Sequence, residues 1–255
     1  MTENLREVHV LCDNIQIFNG CRIRIRGRMN MTLLPDFFLV DVYNPSKSDL
    51  PVVKNFGTMT IRGKSNVLCS GEVEDVYMHR KGSNEIYSIS VSDGQTFWEA
   101  KISSSVGPGA LFSATVEHIL TGAKMGSFLA TDARFVRPQT FNGRLADIVR
   151  DIAVGIHARA FISKNVLHVV ENGRSESIVV VNSGEVIANP NSATGVTILR
   201  TEVKGWPVGM LVNYLGKNYR LVSQEINADS FEGTWETELT LVDESYLDEN
   251  GMDGG

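Results

Sequence analysis

The segment Cys21-Arg-Ile-Arg-Ile-Arg-Gly-Arg28 alternates strictly between charged and small or apolar residues. A period of two suits a β-strand, where successive side chains point to opposite faces; a helix would scatter the arginines around its axis. The segment therefore predicts a half-buried strand with Ile23 and Ile25 inward and Arg22, Arg24, Arg26 and Arg28 in a line on the other face. Neighbouring stretches follow the same rule. Phe37–Tyr43, Val67–Met78 and Ile86–Val91 read as strands, and in the last of these Tyr87, Ile89 and Val91 share a face opposite Ser88 and Ser90. The breaks between them, such as Lys81-Gly-Ser-Asn84 and Ser92-Asp-Gly94, are turn sequences. The first hundred or so residues are expected to be antiparallel β, a barrel or a sandwich.

The period changes after Ser103-Ser-Ser-Val-Gly-Pro-Gly109. Phe112, Val116, Ile119, Leu120 and Ala123 recur at helical spacing, with Gly122 available as a left-handed stop. A stronger helix is predicted from about Asn142 to Val154, stopping at Gly155. Leu145, Ile148, Val149, Ile152 and Ile156 form its apolar face, opposite Arg144, Asp147, Arg150 and Asp151. Strands at Ala158–Ile162 and Val166–Val170 flank the turn Ser163-Lys-Asn165. From Ile178 onward strands return at Ile178–Val181, Gly195–Arg200, Met210–Tyr214, Tyr219–Ile226 and Thr234–Val242. In the last, Trp235, Thr237, Leu239 and Leu241 alternate with Glu236, Glu238 and Thr240.

The fold class that follows is mainly β with a small α/β insert. A first β-unit occupies residues 1–106, a helix-containing insert 107–180, a second β-unit 181–244 and an acidic, glycine-rich tail 245–255 that is too poor in apolar residues to order itself. With 42% hydrophobic residues over 255 positions, burial alone can fold the chain. Cys12, Cys21 and Cys69 are an odd number without a C-x-x-C pair, so they read as reduced thiols. The start of the chain lacks the apolar core of a signal peptide, and no run approaches the ~18 apolar residues of a membrane helix. Synthesis in a cytoplasm is expected.

A net charge of -6 argues against a general nucleic-acid binder, which needs a positive field to displace counterions from phosphates. The four arginines can pair with carboxylates of a neighbouring subunit, attract an anionic polymer, or form a plain solvated face. His9, His79, His118, His157 and His168 are scattered and contain no metal-binding spacing. Glu236 and Glu238 sit on one strand face, whereas a glycosidase acid and base usually come from different elements across a cleft. No nucleophile elbow, phosphate loop or dinucleotide fingerprint is present. No catalytic residue, metal or cofactor is expected. Trp206 and Trp235 read as core or interface anchors, with a sugar platform as the competing reading.

Four stretches in order carry a family resemblance: Cys69-Ser-Gly-Glu-Val-Glu-Asp-Val76; Phe141-Asn-Gly-Arg-Leu-Ala-Asp-Ile-Val-Arg-Asp-Ile-Ala153; Asn182-Ser-Gly-Glu-Val-Ile-Ala-Asn-Pro190; and Pro207–Val212 with Asn218–Val222 and Thr234–Leu239. Together they resemble the phage tail hub family, which includes the late control protein D group and the hub part of type VI secretion spikes. The resemblance implies two tube-like antiparallel β-barrels flanking the insert, with the same strand order in both, and a homotrimeric, non-enzymatic baseplate hub in the virion. In it, Arg22, Arg24, Arg26, Arg28, Trp206 and Trp235 become candidate interface residues, and Leu145, Ile148, Val149 and Ile152 dock the insert helix on a barrel. The implied partners are the tail tube ring, the central spike and other baseplate proteins, with the tape measure protein as a further candidate. DNA passes through the channel without specific binding, and no membrane is involved. The alternatives are a carbohydrate-binding β-sandwich of a tail fibre or surface protein and, third, a glycan- or peptide-cleaving enzyme.

Overall fold

The computed structural model describes residues 6–55, 57–63, 66–187, 191–193, 195–231 and 233–249. Ala188, Asn189 and Pro190 of the third resembling stretch, the first five residues of the chain and the tail beyond Glu249 lie outside the described residues. The chain is mainly β, as its alternation predicts.

The first β-unit holds β1 (His9–Cys12), β2 (Ile15–Ile17), β3 (Arg22–Asn30), β4 (Asp36–Tyr43), a short helix α1 (Leu50–Asn55), β5 (Thr58–Arg62), β6 (Val67–Lys81) and β7 (Asn84–Asp93). The middle of the chain follows with α2 (Gln95–Glu99), β8 (Lys101–Val106), α3 (Phe112–Ile119), β9 (Lys124–Leu129), β10 (Gln139–Arg144), α4 (Leu145–Val154), β11 (Ala158–Ser163) and β12 (Val166–Glu171). The second β-unit holds β13 (Ile178–Val181), β14 (Asn191–Ala193), β15 (Val196–Glu202), β16 (Leu211–Tyr214), β17 (Lys217–Asp229) and β18 (Trp235–Asp243), and α5 (Glu244–Glu249) ends the described chain.

The two β-units are not separate sheets. All their strands belong to one thirteen-stranded sheet, because β3 of the first unit pairs antiparallel with β17 of the second, Arg24 opposite Asp229 through Asn30 opposite Ser223. β17 is long enough to take two neighbours on one edge. Its first residues pair with β16 and its last seven with β3, while β18 runs along the other edge. A bulge between Leu221 and Ser223 marks the handover; such insertions sharpen twist and redirect pairing.

The sheet nevertheless encloses two cores. Ile23, Ile25, Val40, Ile61 and Ile89 form the first together with Ile226 and Ala228 from the far end of β17. Leu199, Val212, Leu221, Leu239 and Leu241 form the second. Each fully buried aliphatic side chain contributes about 1.5–3 kcal/mol.

Within this sheet the two units repeat one arrangement. In the first, the spatial order is β5-β6-β7-β4-β3; in the second it is β16-β17-β18-β15-β14. Taken in chain order, both read third, fourth, fifth, second, first, with every pairing antiparallel. The bulges coincide as well: β6 is irregular between Val73 and Asp75 against β7, as β17 is between Leu221 and Ser223 against β18.

The insert differs from expectation in two places. Its main helix starts at Leu145, because Gln139–Arg144 extend as β10 and pair with β8. Its buried face, Leu145, Val149 and Ile152 with Ala146, packs on Phe97 of α2, Val116 and Ile119 of α3, and Ile162 and Leu167 of β11 and β12, while Ala153 packs with Ile156 and Val169. The helix thus docks on its own α/β layer instead of on a barrel, and Ile148 is only half-buried at its margin. β11 and β12 form the predicted hairpin, with Lys164 and Asn165 both at positive φ, 56° and 59°. At the other end, Glu244–Glu249 form α5 and bury Leu247, where composition alone predicts a mobile tail.

Candidate functional site

The arginine strand lies at the seam between the two units. Arg22 places Nε 3.0 and 3.2 Å from the two carboxylate oxygens of Asp229 and Nη2 2.7 Å from the second, a bidentate pair, and its guanidinium stacks 4.8 Å from the Tyr43 ring centroid. Arg26 donates to Asp41 at 2.9 Å, and Asp41 also accepts the Ser88 hydroxyl at 2.5 Å. Arg28 donates to Ser223 Oγ at 2.8 Å. Arg24 stands in register between Asp41 on β4 and Asp229 on β17, each already held by a neighbouring arginine. Arg22 and Arg26 therefore find carboxylates within the chain, on the two strands that flank β3.

The tryptophans also face inward: Trp206 packs on the second core, and Trp235 packs on the first with Arg6 5.4 Å above its ring.

A buried polar knot joins all three parts of the chain. Asp93, at the end of β7, accepts the backbone N–H groups of Lys164 and Asn165 in the insert turn, the latter at 2.6 Å. The Lys164 ammonium donates to the carbonyl oxygens of Val67 at 2.7 Å and Gly205 at 2.6 Å. Burial pushes the Asp93 carboxyl up to about 6 and the Lys164 ammonium down to about 8. Asp36, opposite Asp93 across β4 and β7, is raised by burial to about 7 against the bonds it accepts from Asn30. These groups lock the structure and face no cleft.

One arrangement has the outline of a nucleophile and base. Ser127 Oγ lies 2.7 Å from His168 Nδ1, the imidazole is stacked on Phe161, and Glu176 is near enough to raise a pKa that burial lowers. The void beside it is about 40 Å³, too small for an acyl substrate. It is a satisfied buried hydrogen bond. Glu238 is paired with Arg200 at 3.0 Å, away from any cleft partner, and among the described residues no group of three or more His, Cys, Asp or Glu could hold a metal ion. A groove of about 660 Å³ runs between α4 and the outer face of β15, β17 and β18.

Among the described residues, strand edges are left unpaired in both units, at β2 where the sheet ends and in the stretches that follow. β6 pairs with β5 only through Glu72; beyond it Asp75–Lys81 pair with β7 alone, leaving their outer edge open and Tyr77 and Met78 exposed. In the second unit β14 is a terminal strand of the sheet, and β13, with Ile178 and Val180 exposed, has only β16 beside it among the described residues. Open edges are templates for pairing with another chain.

No family description and no curated protein matches the sequence. Solved structures do match the fold. The tail protein of prophage MuSo2 from Shewanella oneidensis is similar with a TM-score of 0.69 at 10% identity, over 95% of this chain and 98% of that one. A tail protein from Neisseria meningitidis gives 0.65 at 9%, over 92% and 96%. An Escherichia coli component of the type VI secretion system, itself structurally similar to T4 bacteriophage tail proteins gp27 and gp5, gives 0.62 at 9%, over 92% and 76%. Over nearly its whole length, the chain has the fold of these phage tail and type VI secretion proteins.

Proposed function

We propose that this protein is a structural hub of a phage tail, a homotrimeric ring that joins the six-fold tail tube to the three-fold central spike and leaves a channel for DNA. The observation that carries the reading is the repeated five-strand order within one chain. A three-fold ring meets a six-fold one when each subunit offers two similar modules, and closed rings are the usual way heterologous contacts end. The likeness to tail proteins over nearly the whole chain supports the same role and a place in the virion. A net charge of -6 suits a channel that DNA crosses without being gripped.

Counting copies in the assembled tail by cryo-electron microscopy tests the proposal. Three copies in a ring between tube and spike are expected; six copies, one copy, or a place on a fibre would overturn it.

A further inference from the structure

The internal seam is a template for the seam between subunits. The first strand of the repeat in the first unit, β3, adds to the fourth strand of the repeat in the second unit, β17, along Ser223–Asp229, just past the bulge at Val222. The fourth strand of the repeat in the first unit, β6, carries its bulge at Glu74, and the residues just past it, Asp75–Lys81, have an open outer edge among the described residues. The first strand of the repeat in the second unit, β14, is terminal in the sheet, so among the described residues its outer edge is open too. Each chain therefore contains one completed junction and both halves of a second.

We infer that β14 of one copy adds antiparallel to the β6 edge of the next copy, as β3 adds to β17 within the chain. The inference rests on the ring reading and names the surface that closes the ring.

The repeat also fixes the register. Asn191–Ala193 occupy the place on β15 that Arg26–Arg28 occupy on β4, since Ala193 faces Val196, Val196 faces Val242, and the corresponding chain of partners in the first unit is Arg28, Phe37 and Ser92. Arg28 faces Glu225 across the internal seam, three positions past the Val222 bulge. Three positions past the Glu74 bulge is Tyr77. Ala193 of one copy thus stands opposite Tyr77 of the next, with Asn191 opposite His79.

The chemistry of the edge agrees. Tyr77 and Met78 are exposed large side chains on opposite faces of this stretch, and Tyr77 stacks on His79 at 5.9 Å, so a strand laid there supplies cross-strand partners to both faces. Ala193 is exposed and small, leaving room for the Tyr77 ring. The occupant is a second copy of this chain, because its β14 has the strand order that already fits the equivalent edge.

The test is cysteine cross-linking in assembled tails. Opposed residues of an antiparallel pair have Cα atoms about 4.5–5.5 Å apart, within disulfide reach. Under mild oxidation, tails carrying Ala193→Cys with Tyr77→Cys are expected to give inter-chain bands that stop at a covalent trimer. Ala193→Cys with Lys81→Cys, displaced by four residues or roughly 13 Å, should give none. Equal cross-linking by both pairs, a disulfide formed within one chain, or no cross-link in tails that contain three ordered copies would overturn the pairing while leaving the ring intact. Tails with another copy number would overturn the ring reading itself. Unchanged melting temperatures of the free variants, both altered only at exposed positions, exclude misfolding as the cause of a negative result.

Discussion

Lys164 and Gly205 are joined by a 2.6 Å hydrogen bond from the ammonium to the backbone carbonyl, so a turn residue of the insert holds the loop between β15 and β16 of the second β-unit. The same ammonium bonds the Val67 carbonyl at the start of β6. Replacing it leaves two carbonyls without this donor and removes a side chain that touches all three parts at once. Lys164→Met is expected to lower the unfolding free energy by about 1–3 kcal/mol. Urea denaturation of the isolated chain measures it, and an unchanged midpoint would contradict the role.

Asp36 and Asp93 make a pH signature. Burial raises both folded pKa values, to about 7 and about 6, above the ordinary carboxylate value. The folded state therefore binds protons more tightly than the unfolded one. The stability this contributes is fully present below the ordinary carboxylate range and is lost as pH rises through the folded values. Each group adds a slope of up to about 1.4 kcal/mol per pH unit in that window. Asp36→Asn should flatten the profile between about pH 4 and about pH 7, as read from denaturation across the range.

Lys164 acts at the other end of the scale. Its folded pKa is lowered to about 8, so the unfolded chain binds this proton more tightly. Its contribution makes stability rise with pH above about 8, a rise that Lys164→Met should remove.

The Arg22–Asp229 pair is the strongest ion pair at the internal seam, and the Asp229 side chain is nearly buried. Asp229→Ala strands a guanidinium on that face and is expected to cost about 3 kcal/mol. A double-mutant cycle with Arg22→Ala should return a coupling of about 1–3 kcal/mol. A coupling near zero would mean that the backbone ladder alone holds β3 to β17.

On the insert helix the buried position is Val149, and Ile148 sits at its margin. Val149→Asp is expected to prevent folding of the insert or to cost more than about 3 kcal/mol, with Ile148→Asp milder. Thermal melts of the two variants give the ranking, and the reverse order would show the helix rotated from its described face.

Gly209 tests the contact between insert and second unit. Its φ is +82°, and a Cβ would stand 2.0 Å from Cζ of Phe161 on β11. Gly209→Ala is expected to cost about 2–4 kcal/mol through backbone strain and displacement of the ring. A stability within error of the parent would sink this account.

Period-two alternation is enough to place β3 and β18, where buried residues alternate with wetter ones, whereas β7 and β17 bury Ser92 and Gln224 as fully as their apolar residues. The β11–β12 hairpin was legible from Ser163-Lys-Asn165, residues that tolerate the left-handed turn. Partners were not legible. Arg22 finds Asp229 some 207 residues away, and no local pattern in either segment names the other. The start of α4 was misplaced because Phe141-Asn-Gly-Arg144 carries no strand signal of its own; β8 holds it extended. Leu247 lay in a stretch whose acidic composition outweighed one leucine, yet that leucine is buried. The open edges are the clearest case. An unpaired edge is a property of the assembled sheet, and a strand read from sequence has no edge until its neighbours are known.

Because β17 is a single covalent strand running through both cores, its two ends cannot move apart by opening an interface. Tension along it is borne by peptide bonds and, at the seam, by seven pairs of β3 loaded in shear and strained together, a geometry that resists force far better than a ladder peeled one rung at a time. The two modules should therefore deform as one elastic body, passing torque from either end of the subunit to the other with little loss.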